Sequence, residues 1–220
     1  MDKEATMASG TLKLADADLV TEADLAKLYD PPSPMVTSAG LTYLHDHFIA
    51  YLKAASFVCV GTGHSEEIGV SPRGGDPGFI HVIDRKTIVW PEWAGNNKIS
   101  TLKHLARDPR VGLLFLYHGL DAFMRINGRA VLTRDAELRQ RFEHQGKQPK
   151  LVVVMTVDAA FFHCGRAIIR SKLWEPASRL DRTNLPSMGQ VLKDLVNAPM
   201  TVEEGNVFYE KAVKEELYET

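Results

Sequence analysis

The sequence predicts a mainly β fold, a closed barrel with helical decoration. About seven short segments rich in β-branched and aromatic residues occur along it, only single helical segments interrupt them, and Gly/Pro clusters punctuate the series. A parallel α/β sheet would require strands and helices to alternate throughout, which they do not.

From the N-terminus, the first 20 residues are small and polar. Thr21 and Asp24 predict a capped helix through Tyr29, and Pro31, Pro32 and Pro34 then predict an extended link. Leu41, Leu44, Phe48 and Leu52 recur at helical spacing, the stripe of an amphipathic helix. Residues 56–60 read as a buried strand and Gly61-Thr62-Gly63 as a turn. Residues 66–70, 79–83 and 87–90 read as strands, with a loop around Pro72, Gly74, Gly75, Pro77 and Gly78 and a hairpin connection at Asp84-Arg85-Lys86. Asn96-Asn97 is placed to cap a helix through about Ala106 that Asp108-Pro109 ends. Three strands follow, 111–117, 122–127 and 129–132, with Gly119 and Gly128 as bends. Asp135 caps a helix through Phe142, residues 150–157 form the clearest strand, and 159–170 read as a short helix or mixed segment. Residues 188–196 and 202–218 read as polar helices. The division expected is a helical extension over 1–54, a barrel over 55–180 and a second helical extension over 181–220.

Composition narrows the function. With 45% hydrophobic and 25% charged residues the chain has the balance of a globular protein, and its 220 residues suffice for a core without staples. The net charge of −2 and the lack of a long basic run argue against a nucleic-acid partner. No apolar run is long enough to span a bilayer, the N-terminus has no secretory pattern, and the cytoplasm is the expected location. Cys59 and Cys164 lie far apart, outside any CxxC or zinc-like spacing, and read as reduced, mostly buried thiols.

Three segments carry chemistry. In residues 90–101 (WPEWAGNNKIST) a strand leads through a glycine loop into a helix start, where unpaired amides and Lys98 suit a phosphate. The same residues also read as an ordinary capped helix with a solvated lysine. In residues 68–78 (IGVSPRGGDPG) a strand delivers Ser71 and Arg73 to a glycine-rich bend, and an arginine can grip phosphate through paired hydrogen bonds. A plain surface hairpin is the alternative there. In residues 167–176 (AIIRSKLWEP), Arg170, Ser171 and Lys172 stand beside Trp174, a combination suited to a ring system bearing a phosphate chain, although Trp174 also reads as a packing residue.

The histidines do not form a pattern. His45 and His47 are two apart on an expected helix and face different ways, and His163 beside Cys164 is a weak metal hint. No metal ligand set and no catalytic residue is assigned. Neither GxGxxG nor GxxxxGK[ST] is present.

Taken in order, Gly69-Val70-Ser71-Pro72-Arg73-Gly74, Pro77-Gly78-Phe79, Gly95-Asn96-Asn97-Lys98, residues 108–115 (DPRVGLLF), Arg125-Ile126-Asn127-Gly128-Arg129-Ala130 and residues 169–176 (IRSKLWEP) carry a resemblance. The sequence resembles the pyridoxamine 5′-phosphate oxidase-like FMN-binding split-barrel family from about Phe57 to Pro176. It is closest to the subgroup whose members are taken to be FMN-dependent enzymes. The resemblance implies an antiparallel Greek-key split barrel, a homodimer and FMN at the subunit interface. Ser71, Pro72 and Arg73 would line the flavin strand, Trp90 and Pro91 would flank the isoalloxazine ring, and Asn97 and Lys98 would hold the phosphate. Arg125 and the segment carrying Arg170, Ser171, Lys172 and Trp174 would approach from the barrel wall or the partner chain. Arg170 and Lys172 are the expected cations near the pyrimidine end of the ring.

The implied function is an FMN-dependent oxidoreductase, an oxidase or a reductase, acting on a small molecule. NAD(P)H is then a transient electron donor. The alternatives are a flavin carrier or sensor, or a split barrel that binds haem or deazaflavin. One feature departs from pyridoxamine phosphate oxidases proper: the C-terminal stretch is acidic and helix-like, with no tryptophan to grip a pyridoxal substrate.

Overall fold

The computed structural model describes residues 14–15, 18–93, 95, 97–215 and 217–218. The chain forms two compact units, residues 1–38 and 39–220.

The first unit holds helix α1 (Glu22–Leu28) and helix α2 (Pro34–Ser38). Thr21 and Asp24 form the expected capping box: the Asp24 amide donates to the Thr21 hydroxyl, and the Thr21 amide to the Asp24 carboxylate. The third proline does not extend the link as expected. Pro34 opens α2, because the first helical position needs no amide and proline's fixed φ already suits it.

The second unit is a seven-stranded, wholly antiparallel sheet with helices around it. Its strands are β1 (Phe57–His64), β2 (Glu67–Gly74), β3 (His81–Asp84), β4 (Thr87–Glu92), β5 (Arg110–Leu116), β6 (Ala122–Thr133) and β7 (Leu151–Cys164), in the spatial order β2-β1-β5-β6-β7-β4-β3. The order runs open-ended from β2 to β3. After the β1–β2 hairpin the chain crosses to the far side of the sheet, where the β3–β4 hairpin adds to β7.

Helix α3 (Asp46–Ala54) precedes β1, α4 (Ser100–Arg107) joins β4 to β5, and α5 (Ala136–Gln140) joins β6 to β7. Helices α6 (Arg166–Ser171), α7 (Met188–Val196) and α8 (Val202–Lys214) follow the sheet. None of the described helices is long and apolar enough to cross a membrane.

Alternation along the strands builds one core. Val58 and Val60 of β1, Leu113 and Phe115 of β5, Met124 and Ile126 of β6, Met155 and Val157 of β7, and Ile88 and Trp90 of β4 all bury into it. Leu44, Phe48 and Leu52 pack into the same cluster. Strand β4 is buried on both faces, because Val89 meets Val152 and Phe142 on its other side.

Several local expectations are corrected. The helix expected from Leu41 begins only at Asp46; Leu41 instead bridges Ala160, and the Leu44 amide donates to the Arg85 carbonyl at 2.7 Å. Gly61-Thr62-Gly63 continues β1 rather than turning, and the turn falls at Ser65, whose φ is 53°. Strand β2 runs on through Pro72 and Gly74, which is possible because it is an edge strand where a missing amide is tolerated.

Gly128 does not break β6. It sits at a bulge where a Cβ would collide with the Thr156 carbonyl oxygen. Strand β7 extends to Cys164 and α6 starts at Arg166, so the 159–170 stretch is the mixed segment of the two expected readings. Both cysteines are free, but Cys164 is exposed and Cys59 only half-buried.

Candidate functional site

The crossover from β2 to the far edge of the sheet leaves a cleft of about 760 Å³ between β2, the end of β4, the loop leading into α4, and the start of β7. Ser71, Pro72 and Arg73 reach it from β2, Pro91 and Glu92 from β4, and Asn97 and Lys98 from the loop. Two segments apart in sequence, 68–78 and 90–101, therefore meet in one place.

Arg73 organises one wall. Its Nε donates to both Glu92 oxygens, at 2.8 and 3.0 Å, and its Nη1 donates to Ser71 Oγ at 2.7 Å and to the Pro72 carbonyl at 2.9 Å. Glu92 also accepts the Trp90 indole N–H at 3.1 Å. A carboxylate so thoroughly buried is tolerable only because it is paired and hydrogen-bonded. The sequence reading missed Glu92. Its signal was the Trp90/Glu92 spacing: residues two apart on a strand share a face, and a buried indole needs an acceptor.

The opposite wall is the start of α4. The expected Asn cap is not formed: Ile99 occupies the cap and makes no side-chain capping bond. Asn96 lies outside the described residues. Asn97 adopts φ 58°, a left-handed turn that asparagine tolerates better than most residues. Lys98, Ile99 and Leu102 of this region line the cleft, so the positive end of the helix faces it. Arg73, Lys98 and Lys150 outnumber Glu92 among the described charged lining residues. That excess, together with a helix start lacking a side-chain cap, fits an anionic group such as a phosphate.

Behind this wall, buried His104 ties α4 to the β1–β2 hairpin. Its Nδ1 lies 3.0 Å from Thr62 Oγ1 and its Nε2 lies 3.3 Å from a Glu67 carboxylate oxygen.

The cleft gathers Ser71, Pro72, Arg73, Pro91, Asn97 and Lys98 and leaves out the other six expected site residues. Trp90 points into the core and is 1% exposed. Arg125 lines a separate, shallow groove of about 590 Å³ across β1, β2, β5 and β6. There its Nε donates to Asn127 Oδ1 at 3.1 Å, and its guanidinium lies 5.5 Å from the centroid of the Phe161 ring.

Arg170 and Ser171 end α6, where the Ser171 hydroxyl donates to the Ile168 carbonyl at 3.1 Å. Lys172 follows at φ 52°, and Trp174 donates its indole N–H to the Leu120 carbonyl at 3.0 Å. Within one chain, then, the third segment stands apart from the first two. Among the described residues no group of three or more His, Cys, Asp or Glu is arranged to hold a metal.

Comparison with known proteins places this architecture. Three solved structures are similar to about half of this chain at low identity. A Group A Streptococcus HupZ structure is 15% identical, over 54% of this chain and 93% of that one, with a TM-score of 0.45. General Stress Protein 26 of Bacillus anthracis is 10% identical, over 53% and 91%, with a TM-score of 0.42. An FAD binding protein of Mycobacterium smegmatis is 17% identical, over 56% and 99%, with a TM-score of 0.39. No curated protein matches the sequence. The family model for pyridoxamine 5′-phosphate oxidase matches residues 44–164, from the lead-in to α3 through the last residue of β7. Since that match takes in more than half of the sequence, including every strand of the sheet, the chain belongs to the pyridoxamine 5′-phosphate oxidase family.

Proposed function

We propose that this chain is an FMN-dependent oxidoreductase acting on a small molecule, built as a split β-barrel and working as a homodimer. The observation that carries the reading is the meeting of Arg73, Asn97 and Lys98, from separate segments, around one cation-rich cleft. Lys98, Asn97 and the first amides of α4 hold the phosphate, with Arg73 beside them. FMN, when bound, supplies the electron transfer.

The chain's own contribution is to position the cofactor and set the charge around it. Glu92 fixes the Arg73 guanidinium through Nε, so that its orientation is set before a ligand arrives. In the dimer, Arg125, Arg170, Ser171, Lys172 and Trp174 come to the ring from the second copy. Arg170 and Lys172 there favour negative charge on its pyrimidine end. NAD(P)H is the proposed transient electron donor.

The test is direct. The purified chain is expected to be yellow, or to turn yellow when FMN is added, and to bleach anaerobically with NAD(P)H or release peroxide with a candidate substrate. A colourless chain that takes up no FMN overturns the cofactor. One that binds FMN but shows no turnover with donors or acceptors overturns the enzyme and leaves a flavin carrier.

A further inference from the structure

The cleft has aromatic lining residues that the phosphate reading does not use. Tyr218, four residues beyond the end of α8, reaches back and lines it, together with Leu217 and with Trp93 from the loop after β4. The Tyr218 ring stacks on His144 with centroids 3.9 Å apart and planes 21° apart. Trp93 meets it nearly perpendicularly, at 5.2 Å and 87°. His144 is not a lining residue, so it backs the phenol from outside the cleft.

The mount is stiff. His144 and Lys147 exchange two backbone hydrogen bonds of 2.9 and 3.0 Å. Between them Gln145 (φ 50°) and Gly146 (φ 77°) make a two-residue turn with both central residues left-handed. Helix α8 itself is anchored at its start by a Thr201/Glu204 capping box. It also packs against α7 where Gly205 and Gly189 approach so closely that neither tolerates a Cβ.

We propose that Tyr218 is a ligand-contact residue, the aromatic wall on which the planar ring of a phosphate-bearing cofactor packs. This rests on reading the cleft as the flavin site. The cleft keeps its volume of about 760 Å³ with Tyr218 in place, inside the range of roughly 300–1,000 Å³ usual for small-molecule sites, so the tyrosine bounds the space rather than plugging it. The lining combines two kinds of side chain, the cations Arg73 and Lys98 and the aromatic rings of Trp93 and Tyr218. A ligand with a flat ring and an anionic tail matches that combination. The C-terminal helical pair thereby acquires a purpose, which is to carry an aromatic residue into the site.

The experiment compares FMN with riboflavin, which has the ring without the phosphate, by fluorescence titration of the parent chain and of the Tyr218→Ala, Tyr218→Phe and Lys98→Ala variants. Tyr218→Ala is expected to weaken both ligands alike, by about tenfold, since a ring–ring contact ignores the phosphate. Tyr218→Phe keeps the ring and stays within about twofold of the parent chain. Lys98→Ala weakens FMN alone.

If the parent chain binds FMN and Tyr218→Ala binds both ligands as well as the parent does, the wall is overturned while the flavin site stands. Loss of FMN alone in Tyr218→Ala, or a loss in Tyr218→Phe as large as in Tyr218→Ala, overturns it too. Failure of the parent chain to bind either ligand removes the flavin reading and this inference with it.

Discussion

Arg73 and Glu92, nineteen residues apart, form an ion pair on the cleft wall: Nε lies 2.8 Å from Oε1, and the Glu92 side chain is 8% exposed. The pair joins an edge strand, β2, to a strand buried on both faces, β4. It also satisfies the indole N–H of core Trp90. Removing one partner of such a pair leaves the other desolvated and uncompensated, which is costlier than never having built it. Glu92→Ala is therefore expected to destabilise the chain by about 3 kcal/mol. Urea unfolding checks this, and a loss below about 1 kcal/mol would show the pair to be solvated and dispensable.

Lys98 bears on ligand binding rather than on folding. If it holds the FMN phosphate, Lys98→Ala raises the FMN dissociation constant by about tenfold, the size of one lost charge-assisted hydrogen bond. Riboflavin affinity stays unchanged. The FMN affinity of the parent chain should also fall as salt is raised, and more steeply than that of Lys98→Ala. Equal losses for both ligands would move the phosphate elsewhere.

The proposed dimer has a candidate surface in edge strand β2, where Ile68 is 89% and Val70 76% exposed. Apolar side chains on an unpaired edge are a liability unless another chain covers them. Sedimentation of the parent chain should give a dimer, and the double variant Ile68→Lys, Val70→Lys a monomer. A parent chain that is monomeric at every concentration refutes the assembly, and a double variant that stays dimeric refutes this surface.

Tyr117 should reveal itself in alkali. Burial raises its phenol above the ordinary value, with the Tyr51 ring 5.1 Å away and edge-on. The folded chain thus holds its proton at a pH where the unfolded chain, titrating near 10, releases it. The unfolded state then binds fewer protons, so stability falls as pH rises above about 10, while below that value the contribution is complete. Tyr117→Phe cannot ionise and is expected to lose less stability between pH 9 and 11. Parallel unfolding curves for the two chains would show that Tyr117 ionises as easily folded as unfolded.

Local patterning was enough to identify most elements. The apolar, β-branched runs of β1, β5 and β7, the Thr21/Asp24 and Asp135 caps and the Asp84-Arg85-Lys86 turn are all written in residues close together in sequence, and the structure bears them out. Glycine and proline are poor punctuation in this chain. Gly61, Gly63 and Gly128 all lie within strands: a Cβ at Gly128 would collide with the Thr156 carbonyl and one at Gly63 would crowd the Glu67 carbonyl, whereas one at Gly61 would make only ordinary contact. Pro72 lies within one because an edge needs no amide. Crowding and edge position are properties of neighbours that the local sequence does not name.

The residue types at the cleft were likewise legible: Ser71, Arg73, Asn97 and Lys98 stood out by the chemistry they could do. By itself the sequence determined which segments would be strands, which charges were available and which family pattern they followed, since each depends on residue identity and short-range spacing. Tertiary structure alone decided that β4 lies beside β7, so that the loop after it faces β2, that Glu92 rather than a ligand takes Arg73 Nε, and that Tyr218 returns to the same cleft. Those outcomes depend on how the sheet coils around its shared core, a balance among residues up to about 150 positions apart that no short stretch of sequence encodes.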